Sequence, residues 1–521
     1  MSPIRGVLSP TMGDATVCSG VGGAGALHRG DWPELLFDVA AVLTTSTALS
    51  PVVEAFSVHE ITHFATAQSS SENIPAQLSL TLITVAVSQS GAGSELAPFE
   101  IPVALPPEPF VGPEPGTGSL ASAAISSVAI NPATSSVAGA SVSPATDSVQ
   151  STRLLSQIAL LPGGEIAAFV RTNPAAIQSL LVNPPQARDV SLWWASMNYD
   201  SRNALRAEAP QLVGNLDGVP FATRDLANRS VLTTTMRELE STIASELGRT
   251  AVEKAKLQLS MLKSIANAVG DASGNTNRTL LSLDTAGQGR AAIIVGDLTT
   301  ADYITYMVPG MFFTIEGQMV YWTDAAARLR DEQLSWLAHF GDTTSTVATV
   351  AWIGYHTPNL TNVASLENAE EGRDSLARAI EGLQTLRGTD QPYVSIIGHS
   401  YGSTAALMAL TEYDFEIDAL AVVGSPGSAA QSVDELNVKN GNVFVGKAQW
   451  DPVPNSAAFG SEPGAEKYGA TVFGTDGGVD PLTSRELLRS FFHIEYFSPG
   501  TESLRNLALI GVGHGDAITA Q

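Results

Sequence analysis

Residues 398–402 read Gly-His-Ser-Tyr-Gly, a short turn with a serine in the middle and a glycine at each end. The preceding run, residues 393–397, has the apolar pattern of a buried strand, and residues 403–410 are typical of a helix. A chain that passes from strand to helix so quickly must turn sharply, and glycine permits the close approach because it lacks a Cβ atom. This context predicts that Ser400 occupies a strained, exposed turn and acts as a nucleophile. The alternative is a Gly/Ser turn without chemistry.

A serine hydroxyl becomes nucleophilic when a base takes its proton and a carboxylate orients that base. Enzymes with this turn carry the acid and then the histidine after the serine in the chain. Asp451 follows the predicted strand 442–446, and two histidines, His493 and His514, come after it. The apolar lead-in to His493 favours it as the base, whereas the glycine-flanked tail around His514 is expected to be mobile. For Asp451, the alternative is a surface turn at Asp-Pro.

An oxyanion hole requires two N–H donors beside the nucleophile. The first predicted donor is the backbone N–H of Tyr401, and the second is that of Met311 or Phe312, in the loop after the strand run 304–308. The side chains of Met311, Phe312 and Phe313 could also line an apolar substrate pocket. For the two phenylalanines, plain core packing is the alternative.

The elements that would position these residues alternate between strands and helices after residue 281. Strand-like runs cover 291–295, 304–308, 346–352, 393–397, 419–423 and 442–446, and helix-length segments cover 316–340, 366–386 and 401–412. Short β-branched runs separated by helices indicate a mostly parallel sheet. We therefore predict an α/β catalytic domain over residues 281–521.

Three further regions precede this domain. Residues 153–280 are predicted to be a helical segment, with apolar residues at helical spacing over 226–269 and a possible interruption at Gly248. Residues 111–152 are rich in Pro, Gly, Ala and Ser and predict a linker. Residues 1–110 contain two strand-like runs, 55–64 and 78–87, and predict a small β-rich N-terminal module.

The composition limits the class of partner. The chain of 521 residues carries a net charge of −25, which disfavours nucleic acid and anionic membranes because phosphate binding requires a basic surface. The single cysteine, Cys18, excludes an intrachain disulfide. No apolar run is long enough to predict a membrane-spanning helix, and no secretory signal is recognised, so a cytoplasmic location is slightly favoured over non-classical export.

Two other motifs compete with the serine. Residues 59–63 read His-Glu-Ile-Thr-His, which on a helix would place His59 and His63 around zinc. The surrounding pattern predicts strand instead, so we expect no metal site. Residues 20–25 match G-x-G-x-x-G, but no convincing strand precedes them, and Gly30 and Pro33 break the helix that should follow.

The stretch from Trp193 to Val512 resembles an actinobacterial α/β-hydrolase family long catalogued as a domain of unknown function. The ordered islands that carry the resemblance are Trp193-Trp194, 214–220 with Arg224 and Ala227-Asn228, 308–311, 351–355, 398–403, 424–427, Asp451-Pro452, His493, Tyr496-Phe497, Pro499-Gly500 and 503–506. The resemblance implies an α/β-hydrolase fold with Ser400, Asp451 and His493 as the triad. It implies no substrate.

Together these patterns predict a serine hydrolase that cleaves a small carboxylic ester through an acyl-enzyme on Ser400, without a cofactor. Hydrolysis of an amide or thioester by the same residues is the first alternative. A non-enzymatic binding protein on a hydrolase scaffold is the second. The oligomeric state is left open.

Overall fold

The computed structural model describes residues 144–245, 248–270 and 277–521. The predicted β-rich module and both competing motifs lie outside these residues. The helices before the first strand are α1 (Pro144–Ala159), α2 (Gly163–Thr172), α3 (Pro174–Val182), α4 (Ala187–Ser196), α5 (Tyr199–Glu208), α6 (Pro210–Asn215), α7 (Phe221–Ala244) and α8 (Arg249–Val269). Helix α1 begins within the stretch predicted to be linker, and α8 begins directly after Gly248, where the helical pattern predicted an interruption.

The remaining elements form an α/β domain. In chain order they are β1 (Arg278–Asp284), β2 (Arg290–Val295), β3 (Tyr303–Val308), α9 (Ile315–His339), β4 (Val347–Ile353), α10 (Glu367–Arg387), β5 (Tyr393–His399), α11 (Tyr401–Glu412), β6 (Ala419–Val423), β7 (Val443–Gly446), β8 (Thr471–Phe473), β9 (Gly478–Val479), β10 (Glu486–Leu487) and α12 (Glu502–Gly511).

Eight strands make one sheet in the order β1-β2-β4-β3-β5-β6-β7-β8. Strand β2 is antiparallel to both β1 and β4, and the strands from β4 to β8 are mutually parallel. The mostly parallel sheet predicted from the sequence is thus confirmed. Since parallel strands end at the same edge, the loops after β3, β5, β6 and β7 meet there.

Both faces of the sheet are buried, which explains why its strands read as apolar runs. Along β5, Val394 and Ile396 belong to the core shared with Leu407 of α11. Ile397 faces the opposite side of the sheet and belongs to the core shared with Trp322 of α9. Alternate strand residues face opposite sides, so one short strand supplies both cores.

The helical segment packs against β1, the strand at one edge of the sheet. Asn215 exchanges two hydrogen bonds with the backbone of Leu283 in β1. The carboxylate of Asp225 accepts from the Leu280 N–H, and the Asn228 amide donates to the Leu280 carbonyl oxygen. These side chains take the place of a ninth strand and satisfy the free backbone groups of β1.

No helix among the described residues is long and apolar enough to cross a membrane.

Candidate active site

Ser400 lies between the end of β5 and the start of α11 and has φ of 53° and ψ of −132°. This conformation is rare for a residue with a side chain and stores strain. A Cβ atom on Gly398 would lie 2.6 Å from the Ser403 Cα, and one on Gly402 would overlap the carbonyl oxygen of Pro309. The two glycines are therefore required by close backbone contact, as the strand–turn–helix pattern predicted.

Ser400 is not exposed, contrary to our expectation. Only 4% of its surface is accessible. The loop after β3 covers it, since a Cβ atom on Gly310 would lie 2.9 Å from the Ser400 Oγ. The turn raises the hydroxyl above the sheet, but neighbouring loops enclose it.

The structure brings Ser400, His493 and Asp451 together. The Nε2 of His493 lies 2.7 Å from the Ser400 Oγ, and its Nδ1 lies 3.1 Å from each carboxylate oxygen of Asp451. An ionised carboxylate only accepts hydrogen bonds, so the neutral ring carries its proton on Nδ1. The Nε2 of this tautomer is then an acceptor aimed at the serine hydroxyl, which is the geometry a general base requires.

Asp451 follows β7 and is held as an anion. Burial raises the pKa of its carboxyl group. The charge that His493 carries when protonated, and hydrogen bonds from His493, Tyr496 and the Val453 N–H, outweigh burial and lower the pKa below its usual value. The Tyr496 hydroxyl donates to Oδ2 at 2.6 Å and itself accepts from the Ala448 N–H at 2.9 Å. Tyr496 thus ties the carboxylate to the chain just after β7.

His399, the residue before the serine, supports the backbone of His493. Its Nε2 lies 2.7 Å from the His493 carbonyl oxygen, and the two rings are 4.9 Å apart. A carbonyl oxygen only accepts, so Nε2 carries the proton. Burial, and next the charge of His493, lower the pKa of His399 to about 3. Its buried Nδ1 has no hydrogen-bond partner within the described part of the chain.

Gly424, the first residue after β6, leaves room for both acid and base. Its φ is +59°, and a Cβ atom there would lie 2.8 Å from the His493 ring and 3.0 Å from an Asp451 oxygen. Sequence reasoning gave no role to Gly424, His399 or Tyr496. The available signal was their position, since all three lie in or beside the islands that carry the family resemblance.

The loop after β3 stands beside Ser400 in a fixed conformation. The Tyr355 hydroxyl donates to the Pro309 carbonyl oxygen at 2.6 Å. The N–H of Phe312 donates to the Pro358 carbonyl oxygen at 3.0 Å. Of the two predicted alternatives for the second oxyanion donor, Phe312 therefore has its N–H already engaged, which favours Met311. The N–H of Tyr401 belongs to the first turn of α11, where an N–H has no acceptor within its own helix.

Phe313 packs in the core, which was the alternative to a pocket position. It is 6% exposed, and its ring lies 4.9 Å from that of Trp322 and 6.1 Å from that of His399. These ring contacts favour the packing alternative, and the pocket role of Phe313 stays a prediction.

His514 is held in place rather than mobile. Its ring stacks on Phe340 at 4.0 Å, and its N–H donates to the Leu509 carbonyl oxygen at 2.9 Å. A Cβ atom on neighbouring Gly513 would lie 3.4 Å from the ring of Tyr393, the first residue of β5. His514 therefore lies at the end of the sheet opposite Ser400.

No group of three or more His, Cys, Asp or Glu side chains within residues 144–245, 248–270 and 277–521 could hold a metal ion. His59 and His63 lie outside those ranges.

The sheet and its helices form the fold of an α/β hydrolase, and a comparison with protein families agrees for part of the chain. Residues 284–461 match the family model described as Alpha/beta hydrolase. The matched range contains Ser400 and Asp451 but ends before His493.

The curated relatives are mycobacterial. An uncharacterized protein of Mycobacterium tuberculosis is 27% identical over 392 residues, which are 66% of this chain and 58% of that protein. The chain thus spans less than two thirds of that relative. An uncharacterized protein of Mycobacterium bovis is 29% identical over 218 residues, which are 39% of this chain and 79% of that protein.

Solved structures of esterases match at low similarity. A thermostable esterase from Pseudomonas putida is 11% identical, with a TM-score of 0.28. The match covers 56% of this chain and 98% of the esterase chain. An esterase from Pyrobaculum calidifontis is 11% identical, with a TM-score of 0.28, and covers 54% of this chain and 97% of its own.

Proposed function

We propose that this protein is a serine hydrolase that cleaves carboxylic esters through an acyl-enzyme on Ser400. The single observation that carries the proposal is the continuous hydrogen-bonded line from the Ser400 hydroxyl through His493 to the anionic Asp451, with the 2.7 Å contact between Ser400 Oγ and His493 Nε2. All three side chains are nearly inaccessible to bulk water, so their hydrogen bonds are not screened.

In the first half-reaction, His493 Nε2 takes the proton of Ser400 as its Oγ attacks the ester carbonyl carbon. The carbonyl oxygen becomes an oxyanion, which the N–H groups of Tyr401 and Met311 stabilise. Loss of one such donor typically costs about 2.7–4 kcal/mol of transition-state stabilisation. The imidazolium, stabilised by Asp451, then returns its proton to the leaving alkoxide. The alcohol departs, and the acyl group remains on Oγ.

In the second half-reaction, water gives a proton to His493 and attacks the acyl carbon. The tetrahedral intermediate collapses, the proton passes from His493 to Ser400 Oγ, and the carboxylic acid leaves. Every proton moves between the substrate, water, Ser400 and His493, so the cycle needs no cofactor. An alkoxide is a better leaving group than an amide nitrogen and demands less acid assistance, which favours an ester over an amide. A thioester would pass through the same steps.

The test is steady-state hydrolysis of p-nitrophenyl acetate by the full chain. We expect Ser400→Ala to lower kcat by a factor on the order of 10⁴ or more, because triad members act as a unit. Ser260→Ala is the matched control, since Ser260 is an exposed serine of α8. Equal activity of Ser400→Ala and the native protein would contradict the proposal.

A further inference from the structure

Two loops that carry the acid and the base hold aromatic residues in a backbone conformation that suits glycine. Trp450, directly before Asp451, has φ of 70°, and Phe492, directly before His493, has φ of 54°. A bulky side chain rarely adopts positive φ, because its Cβ atom crowds the backbone. Glycine or asparagine would relieve this strain, so an aromatic residue at such a position points to a use of its side chain.

The same two loops pass from the surface to the buried triad within one or two residues. Trp450 is 66% exposed, whereas Asp451 is 4% exposed. Phe491 is 39% exposed, Phe492 is half-buried, and His493 is 3% exposed. Exposed aromatic side chains therefore lie within one or two residues of the buried acid and base.

The two loops are joined to each other. Gln449 and Phe491 form a parallel bridge, and the Phe492 N–H donates to the Gln449 carbonyl oxygen at 3.3 Å. The rings of Phe491 and Phe492 lie 6.1 Å apart. Trp450, Phe491 and Phe492 consequently lie on two joined loops, and we call these three residues the aromatic rim.

The position of the aromatic rim tells which part of an ester would contact it. The leaving oxygen must lie within hydrogen-bond reach of His493 Nε2 to receive the proton from that atom. The aromatic rim begins one residue from His493 and one residue from Asp451, and its place beside the leaving alcohol is part of the proposal. The acyl oxygen lies on the other side, at the N–H groups of Tyr401 and Met311. A net charge of −25 disfavours an anionic lipid surface as the occupant of the aromatic rim.

We propose that the aromatic rim binds the apolar alcohol moiety of the ester substrate, so that this hydrolase prefers esters of long alkyl or aryl alcohols. The proposal rests on the function proposed above and adds the substrate class. Apolar contact made before the alcohol departs raises kcat/KM, because this ratio reports all steps through acylation.

The test compares two series of dissolved esters with the full chain. One series keeps acetate and varies the alcohol (ethyl, butyl, octyl), and the other keeps the ethyl group and varies the acid (acetate, butyrate, octanoate). We expect kcat/KM to rise along the alcohol series. We expect Trp450→Asn to lower the octyl-to-ethyl acetate ratio about tenfold, which corresponds to about 1.4 kcal/mol, while the ratio along the acid series changes less.

Asparagine is chosen because it tolerates positive φ, so the variant should melt at or above the temperature of the native protein. Phe491→Gln gives a second, independent change of the aromatic rim. Tyr199→Asn is the control, since Tyr199 is an aromatic residue 77% exposed on α5. It should leave both ratios unchanged.

If kcat/KM stays constant along the alcohol series while cleavage still depends on Ser400, the aromatic rim proposal is overturned and the proposed function stands. If Trp450→Asn lowers the kcat/KM ratio along the acid series and not the ratio along the alcohol series, the aromatic rim proposal is also overturned. Absence of cleavage of every ester would overturn both.

Discussion

His399 makes a prediction about acid stability whose size follows from its environment. The folded protein lowers the pKa of this imidazole from 6.5 to about 3. Below a pH near 6.5, the unfolded chain therefore binds a proton at this position that the folded chain refuses. Lowering the pH reduces stability wherever the unfolded state binds more protons than the folded state. The stability should therefore fall as pH decreases from about 6.5 to about 3.

The magnitude can be worked out over a practical range. The isoelectric point of about 4.6 sets a lower bound on pH, because the protein loses its solubilising charge there. When the pH is lowered from about 7.5 to about 5.5, an imidazole with these two pKa values should lower the free energy of unfolding by about 1.4 kcal/mol. Over its full range, the same group would cost roughly 5 kcal/mol.

The perturbation is His399→Gln, whose amide can still donate to the His493 carbonyl oxygen but does not titrate. We expect the variant to lose about 1.4 kcal/mol less than the native protein on acidification over this range. Other titrating groups, including Asp451 with its lowered pKa, are present in both proteins and cancel in the difference.

The assay is urea unfolding at both pH values, followed by circular dichroism, with the midpoint and slope fitted for each protein. His339→Gln is a control, because His339 is a second histidine of the same domain at the end of α9. An equal loss of stability in native protein and His399→Gln would refute the argument that His399 is buried in its neutral form.

Four further substitutions test the proposed positions of acid and base, with kcat on p-nitrophenyl acetate as the measure. His493→Ala should lower kcat by several orders of magnitude, whereas His514→Ala at the far end of the sheet should cost less than about tenfold; the reverse ranking would contradict our assignment. Tyr496→Phe should lower kcat through Asp451, and it should lower stability by about 1–3 kcal/mol in thermal unfolding because the Ala448 N–H is left unpaired; unchanged values would show that the 2.6 Å contact is unimportant. Gly424→Ala should lower kcat on the order of 100-fold or more, because its Cβ atom would displace His493; native kcat in this folded variant would contradict the close contact.

Much of the catalytic domain could be predicted because its signals are local. The runs at 393–397 and 419–423 are continuous apolar segments, and they coincide with β5 and β6 to within two residues. Helix α11 has the predicted bounds, 401–412. Strand β8 was missed because its three residues are too short to show a period.

Features that depend on tertiary packing were harder to predict. Ser400 was expected to be exposed because turns usually are, but the β3 loop that covers it is about 90 residues away in the chain. The tail around His514 was expected to be mobile because glycines flank it, yet Phe340 provides a stacking partner that is distant in sequence. The roles of His399 and Gly424 depend on where His493 lies in space, which residue spacing alone does not give.

The central claim is that Ser400 is an activated nucleophile. The most direct measurement is reaction of the full chain with a fluorophosphonate probe, followed by intact-mass analysis and peptide mapping. We predict one adduct per chain, located on Ser400, with no adduct in Ser400→Ala, little in His493→Ala and a full adduct in Ser260→Ala. A native protein that remains unlabelled, or a label that persists in Ser400→Ala, would contradict the proposed mechanism.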